Sequence, residues 1–563
     1  MAEPTADTLS AESTNSGSTA PSRGPAPSPF GPLQSPVFRM LWVTWLAANV
    51  CMWMSDVAAA WLMTSLTTEP IWVALVQTAA TIPVFLLGLP SGALADILDR
   101  RRYFMVTQFW LAASATALWL ASVMQVITAP LLLALTFING IGLAMRWPVF
   151  AAIIPEVVPR HQLPQAMGLN AVAMNTSRIL GPLIAGALIA GAGTSWVFAL
   201  NAVLSVVAGL IIMRWRREQR PHPLGREPFF SAMRVGLQFT RQSPHLRGVL
   251  VRVFLIFFHF TGLLALLPLV AQGLGGGAGG FTLLLASMGL GAITMALLLP
   301  RLRHHLAPQR LLVLGILLQA AVTAAIALVP NLLLAAPVMY LAGMAWLSNA
   351  NSLSVSAQMA LPDWVRARGM SVFQMGIMGG SALGAAVWGQ VATVTSLQTS
   401  LLLTAASGVL ALLLTRRRLP DISIEEDLTP SRALQPPVAQ APPRGRVMVH
   451  IEYLIDPRQD EAFRALMEES RRSRLRQGAL EWALLHDMGE PGRFIEQVTD
   501  ESWTEHLRRF DRITATDAAL REKKRAYHLP QDPPIVTRYV LEDPRHLPLR
   551  SGADTQNDSS GPK

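Results

Sequence analysis

The 563-residue chain is 51% apolar and 15% charged, with a mean hydropathy of +0.37. A soluble protein carries about 25% charged residues, so much of this chain faces hydrocarbon, and its net charge of +10 reflects where arginine is placed rather than a nucleic-acid partner. The single cysteine, Cys51, excludes a disulfide within the chain and a cysteine metal cluster; in an apolar stretch it reads as a small packing residue.

Residues 1–35 are rich in Ser, Thr, Pro and Ala and lack an apolar core, so they read as a disordered tail without a secretory signal. A spanning helix needs about 20 apolar residues. That measure predicts six spans near 37–65, 71–94, 103–124, 130–154, 164–191 and 195–213. Six more follow near 248–271, 279–299, 310–329, 332–357, 370–392 and 397–415. The fold class is thus all-α and polytopic: an N-terminal six-helix bundle (36–213), a central loop (214–247) and a C-terminal six-helix bundle (248–418).

Charge placement gives the orientation. Alternate connections carry Arg100, Arg101 and Arg102, then Arg160, the cluster from Arg214 to Arg247, Arg301 and Arg303, Arg366 and Arg368, and finally Arg416, Arg417 and Arg418. The other connections, near 66–70, 125–129, 192–194, 272–278, 330–331 and 393–396, hold no Arg or Lys. The arginine side is cytoplasmic by the positive-inside rule, which puts both termini in the cytoplasm.

The halves repeat. Ser35-Pro36-Val37-Phe38-Arg39 opens the first span and Ser243-Pro244-His245-Leu246-Arg247 the seventh, 208 residues later. Pro155-Glu156-Val157-Val158 and Pro362-Asp363-Trp364-Val365 are offset by 207. Parallel repeats about a central cavity are a transporter plan, with the solute site near the midplane. Within the central loop, Phe229, Phe230, Met233 and Phe239 suggest an amphipathic stretch on the membrane surface.

A Pro-rich linker (419–445) leads to a soluble unit over 446–545 and a disordered tail over 546–563. Strands are predicted at Arg446–Leu454, Leu480–His486, Phe494–Val498 and Ile535–Val540. Helices are predicted over Asp460–Arg474 and Asp500–Tyr527, and the order β-α-β-β-α-β is the ferredoxin-like unit.

Between the second and third spans stand Gly92, Asp96, Arg100 and Arg101. Glycine permits close helix approach, and an acid beside a basic cluster can form a charge network that breaks and remakes at a cytoplasmic gate; the simpler reading of the arginines is as positive-inside anchors. This stretch resembles the loop signature of the major facilitator superfamily, Gly-x-x-x-Asp-(Arg/Lys)-x-Gly-Arg-(Arg/Lys). Here Ile97 replaces a basic residue and Asp99 a glycine.

On the fifth span, Asn175-Thr-Ser-Arg178-Ile-Leu-Gly181-Pro182-Leu-Ile-Ala-Gly186 resembles a segment of the superfamily branch called transmembrane secretion effectors, which includes the enterobactin exporter. Members of that branch often carry a C-terminal extension like 446–545, in which Ser502-Trp503-x-Glu505-His506-Leu507 is a recognisable piece. The Gly181-Pro182 pair also resembles part of the exporters' helix 5 antiporter motif. Physically, the glycines allow close contact and the proline loosens the helix ladder at a bending point; small-residue helix packing is the other reading.

Ionisable groups deep in the spans are the sharpest signals, since burial in hydrocarbon is costly without partners or water. These are Asp56, Arg146, Arg178 and, in the seventh span, His259, with Asn175 one turn from Arg178. Asp56 and Arg178 differ in depth by roughly 5 Å and Asp56 and Arg146 by roughly 9 Å at 1.5 Å per residue, which long arginine side chains can cover. In related drug–proton antiporters an acid on helix 1 and an arginine on helix 4 serve coupling. The expectation is that Asp56 alternates between proton and substrate or arginine while Arg146 tunes it; a static ion pair is the alternative. Asn139, Asn349, Asn351 and Gln374 can line a polar cavity, whereas Trp42, Trp45, Trp53 and Trp61 read as lipid or packing contacts.

The expected function is secondary active export of a small organic molecule, siderophore or drug-like by resemblance, in exchange for protons. No Walker A sequence appears. The partners are the solute, protons and membrane lipid, with a homodimer through the extension as a further option. Cofactors and metals are not expected, nor is the chain expected to be an enzyme. Two alternatives stand: an uptake permease of the same fold, and catalysis in the extension, which resembles dimeric α+β barrel domains that include cofactor-free monooxygenases, with His486, His506, Trp482 and Trp503 as its chemistry.

Overall fold

The two Ser-Pro markers of the repeat are helix starts. Ser35 accepts a hydrogen bond from the Phe38 amide and Ser243 from the Leu246 amide, each with proline next in the chain. A hydroxyl before the first turn satisfies an orphan N–H, and proline's missing donor costs nothing there. In this computed structural model the described residues are 30–159, 162–215, 229–362, 364–421, 427–431 and 445–541.

Twelve described helices are long and apolar enough to cross a membrane. The first half comprises α1 (Pro36–Leu66), α2 (Pro70–Ile97), α3 (Arg100–Val123), α4 (Ala129–Val157), α5 (Leu163–Ala192) and α6 (Thr194–Arg214). A short helix, α7 (Phe229–Gln242), precedes the second half. That half comprises α8 (Pro244–Gly273), α9 (Gly277–His305), α10 (Pro308–Leu328), α11 (Leu332–Met359), α12 (Arg366–Val394) and α13 (Leu397–Arg418).

The apolar core is divided unevenly. One cluster, containing Met54, Phe198, Phe260, Phe281 and Trp346, is shared by both halves. Toward the arginine-rich ends each half has its own: Phe38, Phe104 and Phe150 in the first, Phe239, Val253, Leu353 and Phe373 in the second. The halves therefore join through the middle and the arginine-free side and separate toward the arginine-rich side.

The α2–α12 seam is closed from the arginine-free end as far as Gly88 and Met375. The Ile71 amide donates to Thr393 Oγ1 at 3.0 Å, and Thr78 Oγ1 donates to the Ala382 carbonyl at 2.9 Å. Further along, Gly379 makes room for Phe85 and Gly88 for Met375. The α5–α9 seam is closed only in part. Gly186 accommodates Thr282 and Gly289 accommodates Ile179, but beyond them Asn175 and Leu297 are exposed.

The soluble unit has β1 (Arg446–Leu454), α14 (Asp460–Arg476), β2 (Glu481–His486), β3 (Arg493–Asp500), α15 (Trp503–Asp511), α16 (Ala515–Ala526) and β4 (Ile535–Leu541). Its antiparallel sheet has the order β2-β3-β1-β4, with Val449 opposite Val498 on one side and Arg538 on the other. This is the ferredoxin-like arrangement expected from the sequence. The helical stretch 500–527 is two helices, because Thr514 starts α16 with a capping box closed by Asp517.

The central loop differs from the membrane-surface expectation where it is described. On α7, Val235 and Phe239 are buried, and Phe239 meets Trp364 edge-on at 5.8 Å. Protein covers this face of α7. The side chains of Phe229 and Phe230 lie outside the described ones.

Candidate functional site

A cavity of about 230 Å³ lies where the shared core gives way to the open side, walled by α1, α2, α5, α8, α9 and α11. Its polar lining is Asp56, Gln77, Asn175 and Arg178; Trp53, Pro182, Leu264, Phe281, Met288 and Trp346 give it apolar walls. On the arginine-free side Trp61 and Phe281 stack at 5.9 Å above it. On the arginine-rich side its rim runs between Asn175 and Leu297, the latter 72% exposed.

Arg178 is held by two rings. Its guanidinium carbon lies 3.9 Å from the Trp346 ring centroid and 5.1 Å from that of Trp53. A cation over an aromatic face gains about 0.5–2 kcal/mol, more where water is excluded. Stacking uses the faces of the guanidinium and leaves its in-plane N–H groups for other partners. Its Nε is buried without a hydrogen bond, and no ion pair reaches it among the described residues. Asp56 sits three residues beyond Trp53 on α1, one turn along the same wall, and also has neither hydrogen bond nor ion pair among the described residues.

Two close approaches hold this wall in place. A side chain at Gly181 would press on Trp53 and come within 3.1 Å of the Val50 carbonyl, so glycine lets α5 lie against α1 and carries Arg178 to Trp53. Pro182 interrupts α5 at the cavity edge. Gly186 lies against Thr282 on α9.

The other sequence-predicted residues fall elsewhere. Arg146 is buried, but its Nη1 donates to the Ala48 carbonyl at 3.2 Å and its guanidinium lies 5.3 Å from the Trp45 ring. It binds α4 to α1 on the arginine-rich side of the cavity and forms no ion pair with Asp56. His259 faces a separate small pocket between α8, α10 and α13, with its Nδ1 2.7 Å from the Leu255 carbonyl. Gly92 packs near Pro148. Arg101 donates to the carbonyls of Ile212 and Met213 at the end of α6, closing a helix end. Asp99 caps α3 through the Arg102 amide at 2.8 Å. The Asp96 side chain lies outside the described ones.

Several polar candidates join helices instead of lining the cavity. Asn139 accepts from Ser114 at 3.0 Å, Asn349 donates to Gln319 at 3.0 Å, and Asn351 accepts from Arg303 at 2.6 Å. Conversely, Trp53, read from sequence as a lipid or packing contact, is a cavity wall. Trp346, Gln77 and Phe281 were not singled out. Only Gln77 had a sequence signal, as a polar residue within an apolar run.

In the soluble unit the aromatic and histidine candidates are engaged in the fold. Trp482 Nε1 donates to Glu496 at 3.2 Å, and His506 Nδ1 lies 2.7 Å from Asp500. His486 stacks on Phe494 at 4.3 Å, and Trp503 lies 5.2 Å from the His506 ring. Glu496 is completely buried beneath Ser470, Arg474, Trp482, Tyr453 and Lys524, all of which donate to it. Burial alone would raise its pKa, but Arg474 and Lys524 outweigh that and hold it well below the usual carboxylate range. No cluster of three or more His, Cys, Asp or Glu among the described residues can hold a metal ion.

Comparison with known proteins gives the family. The profile described as transmembrane secretion effector matches residues 27–546. The enterobactin exporter EntS of Salmonella choleraesuis is 24% identical over 360 residues, covering 63% of this chain and 85% of that protein. The macrolide efflux protein A of Enterococcus faecalis is 24% identical over 197 residues, 34% of this chain and 60% of that protein. An uncharacterized transporter of Bacillus subtilis, YfiS, is 26% identical over 194 residues, 34% of this chain and 45% of its own length. The chain thus spans 45% and 60% of the length of the last two.

Solved structures agree on the fold. A POT family transporter superposes with a TM-score of 0.58 at 12% identity, covering 71% of this chain and 99% of that one. A bacterial homologue of the human lysosomal transporter Spinster, inward-facing and occupied, gives 0.54 at 16% identity, covering 69% and 97%. With twelve candidate spans in two repeated halves, a cavity between them and a family match along most of its length, this chain is a multi-pass membrane transporter of the major facilitator superfamily and belongs to its transmembrane secretion effector family.

Proposed function

We propose that the protein exports a small organic molecule from the cytoplasm across the bacterial inner membrane in exchange for protons. The observation that carries this reading is Asp56: a carboxyl group in the cavity between the halves, with no hydrogen bond or ion pair among the described residues, is available to a proton or a solute. An acid in that position exchanges one for the other when the cavity changes sides. Positive-inside placement makes the open, arginine-rich side cytoplasmic, where an exporter loads its cargo. Relatives named for enterobactin export and macrolide efflux support the direction.

Rocking of the halves would close the α5–α9 rim on the loading side and part Gly186 from Thr282 on the other. The glycine seams suit this motion because they slide without interlocking side chains. Arg146 would hold α1 to α4 as the first half moves. The soluble unit, whose buried acid is fully engaged by donors, is read as a docking or dimerisation element.

Everted vesicles test the reading. With the lumen acidified, labelled enterobactin or a labelled macrolide should accumulate inside, and Asp56→Asn should abolish gradient-driven accumulation while leaving the protein folded. Cargo that instead left the lumen along with protons would establish the uptake reading. Full proton-driven transport by Asp56→Asn would remove the coupling role.

A further inference from the structure

The cavity is lined by an arginine and an acid that form no ion pair with each other among the described residues. The Arg178 guanidinium lies beside both the Trp53 and Trp346 rings, and Asp56 lies one turn farther along α1. Gln77 and Asn175 are the remaining polar lining, and neither neutralises a charge. Outside the cavity, Arg146 on α4 also acts electrostatically on Asp56 without forming a salt bridge to it, while its Nη1 donates to the Ala48 carbonyl and its guanidinium lies near the Trp45 ring. The thiol of Cys51 is buried farther back on α1.

Ionisable groups without salt bridges in a membrane interior are expensive. Two of them on the wall of one cavity form a template for a molecule with the opposite pair. A planar carboxylate meets the guanidinium edge through two parallel N–H···O bonds, and aromatic carbon fits between that point and the Phe281 and Met288 walls.

We infer that the cargo is an amphoteric aromatic compound whose acidic group pairs with Arg178 and whose amine replaces the proton on Asp56. The inference rests on the exporter reading, and the sign of the coupling selects the amine. A purely anionic cargo would favour a protonated Asp56, because two negative charges in one cavity repel, so proton and cargo would travel together. An amine on Asp56 excludes the proton, which is what exchange requires.

Binding to the full-length protein in lipid nanodiscs, with no gradient, tests the class. The probes are para-(aminomethyl)benzoate, para-toluate and para-methylbenzylamine, which share one ring and differ only in charge. The amphoteric probe should bind the unmodified protein at least roughly tenfold more tightly than either single-charge probe, or about 1.4 kcal/mol. Arg178→Met should reduce it to the level of the amine, and Asp56→Asn to the level of the acid. Arg178→Lys, which keeps the charge, should retain part of the advantage. Amphoteric binding that is absent, or no tighter than that of the single-charge probes, overturns the inference, and that comparison needs no variant to fold. Equal loss of all three probes in Arg178→Met also overturns it. The exporter reading fails separately: intact charge selectivity without gradient-driven flux would sink transport, and flux of cargo without selectivity would sink the cargo class.

Discussion

Nη2 of Arg234, on the helix between the two halves, lies 2.9 Å from Oε2 of Glu501 in the soluble unit, and Ser231 donates to the same carboxylate at 2.8 Å. Gln238 adds a bond to the Ala479 carbonyl at 2.7 Å, and the Arg512 guanidinium sits 5.0 Å from the Trp364 ring. The soluble unit is therefore seated on α7, which packs on the second half through Phe239, and on the connection between α11 and α12 within that half. It would travel with that half in any rocking motion.

The ion pair is half exposed, and such a pair contributes about 0–1 kcal/mol; the ring contact adds about 0.5–2 kcal/mol. Glu501→Lys combined with Trp364→Leu should raise amide exchange along α7 several-fold. Exchange in β1 and β3 should stay unchanged. Unchanged protection of α7 would show that other contacts seat the unit.

Glu496 makes a second, acid-dependent prediction. Its pKa is held well below the ordinary value despite full burial, through Arg474 and Lys524. A carboxylate lowered on folding contributes stability that is present above its unfolded value near 4.3 and is lost as pH falls through the lower folded value. The pKa of Asp500 is lowered in the same sense, against the effect of its burial, by Arg509 and His506. Protection of β3 should therefore hold through pH 5 and fail only in stronger acid. Glu496→Leu leaves Arg474 and Lys524 buried beside an apolar group and should cost about 3–5 kcal/mol, read as loss of β3 protection at neutral pH.

Which parts were legible in sequence follows from what each signal encodes. The number of candidate spans was readable because hydrocarbon thickness is written along the chain as stretches of apolar residues. The soluble fold was readable from its alternation of periods, and the Thr514-x-x-Asp517 cap that splits its last helical stretch was present but overlooked. Depth was readable for Asp56 and Arg178, and the cavity contains both. Depth alone did not show that the Arg146 hydrogen bond goes to the Ala48 carbonyl, two turns from Asp56 on α1, although its charge still acts on that acid. Tryptophans carry no sign of whether they face lipid or cavity. Trp346 and Arg178 are separated by 168 residues and meet only when the two halves pack.

Arg146 separates a structural brace from a coupling group. Its removal takes a charge from the Ala48 carbonyl and the Trp45 ring and from the surroundings of Asp56, with which it shares no salt bridge. Arg146→Met should lower thermal stability in nanodiscs, by about 1–3 kcal/mol as for hydrogen bonds to a charged group. Any surviving transport should remain driven by the proton gradient. Loss of that drive at unchanged stability would instead make Arg146 part of the proton machinery.

Gly186 offers a test of the moving seam. In the observed state its Cα lies so close to Thr282 that a side chain there would overlap it, so closure on the arginine-free side depends on glycine. Valine adds volume that α5 and α9 can accommodate only by separating at that end. Gly186→Val should therefore disfavour the observed state and populate one open on the arginine-free side. Phe281, which stacks on Trp61 just inside that seam, is the reporter. A membrane-impermeant thiol reagent applied to the arginine-free face should label Phe281→Cys slowly in the parent and at least roughly tenfold faster with Gly186→Val. Since Cys51 is buried, it should add little background labelling. Equal labelling rates would mean that the α5–α9 contact does not control access from that side, and the rocking axis would then have to be sought at the α2–α12 seam.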